Sequence, residues 1–366
     1  MSFDYTHYVP CLRWKQGEYQ AVLRLPTPTK EMFTPLIEVP EIGWDFEAKR
    51  DKKTIDDHVT DFARKKIYGK WGTRFCFLDL NLIRPFERMA NGVHPVNFVF
   101  YELREAGCSA IPVTAPDRDK AYQQEIKKIL VKDKRGVCFR ISIEGAAKGT
   151  FVEETNSLLS YLGIKPNNCD FILDLGAPNF EPLDGFAKAI QAIVSRIPYL
   201  DRWRSFSVLG TSFPDTMGRM KLGANIIARY EWQLYRIMIT SFYKNGVRIP
   251  SFGDYAINHP KVHKLDMRKM RPSATIRYAI DDGWYIVKGH FVRDEKYGKY
   301  EQYRQLSRIV LNSGYYCDST FSWGDDYILK CANGTGKTGS PTTWRQVGTN
   351  HHIMKVIQDI ASFYAS

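Results

Sequence analysis

Residues 75–80 read FCFLDL and residues 171–175 read FILDL. In each, a short aromatic and aliphatic run leads into a carboxylate, Asp79 or Asp174. Runs this short and this apolar fit strands buried on both faces, as in a parallel sheet. Six more runs of the same kind occur along the chain: Thr34–Val39, Ala110–Thr114, Val137–Ser142, Phe206–Thr211, Ile249–Tyr255 and Thr275–Ile280.

Between the runs the apolar period changes from two to that of a helix. Ile55, Val59, Phe62 and Ala63 recur at helical spacing behind Thr54, a residue suited to cap a helix. Val96, Val99, Phe100 and Leu103 repeat the pattern, as do Tyr122, Ile126, Ile129 and Leu130, and then Phe186, Ala189, Ile190, Ile193 and Val194. Tyr230 to Phe242 is apolar on more than one face, which predicts a well buried helix. Strands alternating with helices imply parallel β-α-β units, because a parallel pair needs a long crossover. Eight units over about 250 residues give the size of a (β/α)8 TIM-barrel-like fold, with a doubly wound open sheet as the competitor. The pattern is irregular near strands 7 and 8. No helix is evident in residues 257–272, and Asp281-Asp282-Gly283 reads as a hairpin turn into Trp284–Lys288.

The expected organisation is a barrel domain over residues 1–290 and a C-terminal α/β extension over 291–366 that packs on it. In the extension, Tyr300–Asn312 and His352–Tyr364 read as helices, the second with Asn350 as its cap, and Asp326–Lys330 as a strand. The stretch GTGKT at residues 334–338 resembles the end of a phosphate-binding loop. It lacks the first glycine, since Cys331 stands there, and Gly339-Ser340-Pro341 reads as loop, so a mobile connection is expected.

The chain has 366 residues, 44% of them hydrophobic, with no apolar run of bilayer length and no signal-peptide pattern at the N-terminus, so a cytoplasmic protein without a membrane partner is expected. Seven cysteines without a C-x-x-C pair fit reduced thiols. Fifty-two Lys and Arg against forty Asp and Glu give a net charge of +12, which favours an anionic partner such as a nucleotide or nucleic acid.

In a TIM barrel the C-terminal strand ends share one mouth. Here those ends offer Glu38, Asp79, Asp174 and Asp254 as candidate catalytic carboxylates, and Arg140, Thr211, Arg277 and Tyr278 as candidate substrate-binding groups. His351, beyond Trp344-Arg345, is a further candidate for contact with substrate. Acids and arginines at one mouth suit either a divalent metal with a phosphate ester, or acid/base work on an anion held by arginine. Strand-end carboxylates also cap helices and pair with arginine in structural layers, and the residues alone leave these uses open.

Two stretches resemble a known family. Tyr8-Val9-Pro10, Leu12-Arg13-Trp14-Lys15 and Gly17-Glu18, followed by Pro35–Pro40, are similar to the start of the family named after the phage T4 beta protein. Phe321–Asp325, Trp344-Arg345 and Thr349–His352 are similar to its tail. The resemblance implies a place in phages, mobile elements and bacterial defence neighbourhoods, and supplies no catalytic residues. Two functions follow as expectations: an enzyme of hydrolase or phosphodiesterase type acting on a phosphorylated substrate, or a non-catalytic subunit of a nucleic-acid-targeting antiphage complex with a partner protein.

Overall fold

The computed structural model describes residues 2–261 and 270–365. It contains a closed barrel of eight parallel strands: β1 (Tyr8–Leu12), β2 (Leu36–Glu38), β3 (Phe75–Asp79), β4 (Ser109–Thr114), β5 (Val137–Ser142), β6 (Cys169–Asp174), β7 (Ser205–Gly210) and, after a strand outside the barrel, β8 (Gly223–Ala228), β9 (Ser251–Asp254). Neighbours follow chain order, and β9 closes the ring against β1. The expected TIM-barrel-like fold is therefore present. Its crossovers include the helices Pro95–Glu105, Lys120–Asp133, Phe151–Leu162 and Leu183–Val194, each burying one apolar stripe. Helix starts obey local chemistry. Thr54 Oγ1 accepts the Asp57 N–H at 3.1 Å, and Asp119 Oδ1 accepts the Tyr122 N–H at 3.0 Å, each satisfying a donor that the first turn leaves open.

The identity of one barrel strand corrects the sequence reading. Thr275–Ile280 is not the eighth stave; that place belongs to β1, which pairs in parallel with β9 on one side and β2 on the other. Residues 273–279 form β10 (Ser273–Ala279), which turns through residues 280–282 into β11 (Gly283–Phe291) and builds an antiparallel sheet in the order β8-β11-β10. The reason is geometric: a tight turn joins only antiparallel neighbours, whereas a parallel stave needs a crossover. The hairpin signal at Asp281-Asp282-Gly283 thus already argued against a barrel strand before it. The proline in YVPCL weakens β1 as a strand signal, since it cannot donate to a ladder.

The chain forms two compact units, and the division does not fall near residue 290. One comprises Met1–Trp14, Phe33–Gly210 and Leu234–Asp254 and contains the barrel; the other comprises Lys15–Met32, Thr211–Gln233 and Tyr255–Ser366. The second holds the antiparallel sheet because one face of β10 and β11 shares a core with later helices: Ala274, Ile276, Tyr278 and Val287 pack with Tyr303, Trp344 and Val347. Hydrophobic burial there joins residues that a cut at 290 would separate.

Three local readings also change in the second unit. Asp326–Lys330 is helical, within Trp323–Ala332, capped by Ser322, whose Oγ accepts the Asp325 N–H at 3.2 Å. The last helix begins at Pro341 and runs to Ala365, so a helix does follow GTGKT, while a helix rather than a strand precedes it. Asn350 lies inside that helix instead of capping it; its Oδ1 accepts the Gly324 N–H at 3.0 Å and its Nδ2 donates to the Ala21 carbonyl at 3.1 Å. Most of the stretch expected to lack a helix, residues 262–269, lies outside the described residues.

Candidate functional site

Parallel register brings strand ends level, so residues far apart in sequence meet at the C-terminal end of the barrel. Glu38 ends β2 and is paired in register with Asp79, which ends β3; Asp174 ends β6 opposite Ser142 of β5. Arg140, two residues before the end of β5, reaches all three. Its Nη1 donates to Glu38 Oε1 at 2.8 Å and to Asp79 Oδ2 at 3.0 Å, and its Nε and Nη2 lie 2.9 and 2.8 Å from Asp174 Oδ2. Two arginines that the sequence reading missed complete the cluster. Arg118 Nη2 donates to Asp79 Oδ2 at 3.1 Å, and Arg13 Nε stands 3.6 Å from Glu38 Oε2. Backbone donors finish the set: Asn81 N–H to Asp79 Oδ1 and Gly176 N–H to Asp174 Oδ1, both at 2.9 Å.

Among the described residues three carboxylates and three guanidiniums meet here, deeply buried: the Asp79 side chain is 0% exposed and that of Arg140 10%. The sequence thus foresaw Glu38, Asp79, Arg140 and Asp174 as neighbours, but not their arrangement. The acids do not converge on an open point, and Arg140 is not free to hold an anion from solution. Among the described residues no group of three or more His, Cys, Asp or Glu is disposed to hold a metal ion. Cys11 lies beside the cluster, where burial first and then the Glu38 carboxylate push its thiol well up, so it stays protonated and is no nucleophile.

The other candidates have contacts of their own. Asp254 ends β9 and accepts the Tyr8 hydroxyl at 2.5 Å. Thr211 directly follows β7 and turns its Oγ1 to the Phe213 N–H at 3.0 Å, a local turn contact. Arg277, Tyr278 and His351 belong to the second unit and not to the barrel strands, because the strand that carries the first two is β10. Tyr278 donates to Asp325 Oδ1 at 2.7 Å and stacks on His351 with centroids 3.7 Å apart. The two His351 nitrogens each lie 2.9 Å from an oxygen, Asp325 Oδ2 and the Ala279 carbonyl. Burial pushes Asp325 up, yet the His351 ring and the hydroxyls of Ser322 and Tyr278 hold it below its ordinary value. Tyr278 and His351 therefore build a saturated, wholly buried core pair.

Among the described residues, cavities border the barrel strands at both ends. One of about 560 Å³, lined in part by Phe3, Tyr5, Arg204 and Arg248, lies at their N-terminal ends, away from the cluster; there Arg204 binds Asp170 and Arg248 donates to the Leu200 and Trp203 carbonyls. That end of a TIM barrel serves stability. The other, about 100 Å³, opens beside Arg118 at the strand ends, with His94 and Asp119 in its wall. No helix among the described residues is long and apolar enough to cross a membrane.

Fold and cluster together define the class, a TIM-barrel α/β protein with a charged layer at the C-terminal strand ends. The match of a family model described as "Beta protein" to residues 8–358 settles the finer assignment: the chain belongs to the Beta protein family. Among solved structures it is similar to triosephosphate isomerase from Bartonella henselae at 10% identity and a TM-score of 0.35, over 68% of this chain and 91% of that one, a likeness that assigns no residue a role. No curated protein matches the chain.

Proposed function

We propose that this protein is a non-catalytic binding subunit that acts in phage–host conflict as part of a complex engaging nucleic acid. One observation carries the reading: Arg140 holds Glu38, Asp79 and Asp174 together. A general base needs a lone pair facing its substrate, and a metal needs converging unshared oxygens. Arginine contacts at 2.8 to 3.0 Å engage Glu38 Oε1, Asp79 Oδ2 and Asp174 Oδ2, which weighs against both roles. The net charge of +12 supports a polyanionic partner.

The test is anisotropy of a labelled single-stranded oligonucleotide across a salt series. Binding should weaken steeply, with log K falling linearly in log salt; an absent or salt-independent signal would sink this reading.

The cavity beside Arg118 favours a second reading, an enzyme of hydrolase or phosphodiesterase type in which Asp79 and Asp174 serve as acid and base and Glu38 and Asp254 support them. The two readings part on Asp174→Asn. Loss of turnover on a phosphate ester with an unchanged melting curve would establish the enzyme, whereas a lowered melting temperature without any turnover to lose assigns the carboxylate to structure.

A further inference from the structure

Arg277 has the opposite environment to Arg140. It lies on β10, where strand alternation directs Ala274, Ile276 and Tyr278 into the core of the second unit and Arg277 to the other face. Its Nε is sealed from solvent and has no acceptor, and among the described residues no oxygen accepts from its guanidinium. The residue as a whole keeps partial exposure, which leaves a way in.

The stronger of the two groups that act on it electrostatically, Arg345 and Tyr303, is another cation. Burial first, and then the field of Arg345, push the Arg277 guanidinium down to about 9. The backbone of the helix that carries Arg345 comes close to Arg277 at Gly348, where a Cβ would stand 2.9 Å from the Arg277 carbonyl oxygen and 3.4 Å from its Cβ. Only a residue without a side chain lets the helix Pro341–Ala365 lie this close to the strand. Arg345, three residues earlier on that helix, falls on the same face. It also sits near the helix N-terminus, whose dipole adds positive potential. Arg345 Nη1 donates to Asn258 Oδ1 at 3.0 Å, and Asn258 Nδ2 in turn donates to Glu18 Oε1 at 2.8 Å. The other Glu18 oxygen accepts the Lys15 N–H at 2.9 Å and closes its own helix start.

A desolvated cation without a counter-charge, next to a second cation, is among the least favourable arrangements a folded chain holds. An oxyanion reverses the balance, since a guanidinium presents planar paired donors that match phosphate oxygens. We propose that Arg277 and Arg345 form a binding site for a phosphate group. The site deepens the binding reading above and rests on it only for the identity of the phosphate's carrier.

The experiment titrates the full-length protein with inorganic pyrophosphate by calorimetry, for the wild type, Arg277→Gln and Arg345→Gln. The wild type should bind saturably, and each variant should weaken binding about 10- to 100-fold, the value of one charge-assisted hydrogen-bonding partner. Arg277→Met, which fills the same space without charge, should behave as Arg277→Gln, with circular dichroism confirming that all variants fold. Equal affinity in the wild type and a folded Arg277 variant, or no saturable binding by the wild type, overturns the site. Competition by a single-stranded oligonucleotide then identifies the carrier. Displacement of pyrophosphate places a polynucleotide here; failure to displace it assigns a free phosphate ester and counts against the nucleic-acid reading while leaving the site intact.

Discussion

Arg140 and Arg277 are both strand arginines held away from bulk water, and they have opposite company. Arg140 meets three carboxylates, whereas Arg277 meets none among the described residues and answers to Arg345. Charge by itself therefore does not mark a site. What distinguishes the two is whether the fold has already supplied the partner: a satisfied guanidinium is a structural fastening, and an unsatisfied one is an open valence for something not encoded in the chain.

The comparison can be broken most forcefully at the barrel. Arg140→Met leaves Glu38, Asp79 and Asp174 buried with one cation fewer, and stability in urea should fall by about 3–5 kcal/mol. Arg140→Lys, which keeps the charge but not the fork, should recover part of this. A loss under about 1 kcal/mol would mean that the carboxylates do not depend on Arg140.

Arg277→Met should move the other way. With no partner among the described residues to orphan, removing the charge should leave the anion-free protein unchanged or more stable by about 1 kcal/mol, seen as a raised melting temperature. Destabilisation by several kcal/mol would place Arg277 in the same class as Arg140.

The smallest expected effect concerns pH. Because burial lowers the Arg277 guanidinium to about 9, its protonated form, the one that binds an anion, is depleted as pH rises through that value. Sulfate affinity should accordingly be flat from neutrality to near pH 8 and weaken above pH 9, since the charge of sulfate is constant over this range. Arg277→Gln should abolish the change. A wild-type profile flat beyond pH 10 would show that another group holds the anion.

Much of the barrel was legible because buried parallel strands are written as continuous apolar runs, and FCFLDL and FILDL announce both a strand and the carboxylate in its last turn of chain. The stave at residues 8–12 was not, since five residues with a central proline carry little strand signal and gain their place only from closure with β9. The same omission hid Arg13, which follows that stave. Arg118 was hidden differently: it sits in a loop after β4, and no local pattern says that its guanidinium turns back to Asp79. Most telling is Arg277, chosen as an anion ligand for a strand end it does not occupy. Whether an arginine is paired depends on contacts between remote segments, and a linear pattern does not contain them.

The closure of the barrel through β1 has a consequence for how the protein is made. The first stave is made before its partner β9, so one of its two edges waits for residues 251–254, and Tyr8 reaches its acceptor across 246 positions of chain. Until then β1 presents an open edge, the condition in which a nascent strand is exposed to mispairing. Closing so long a loop slows folding. An N-terminal fusion that crowds residues 2–7 would act on the yield of folded protein rather than on the stability of what folds.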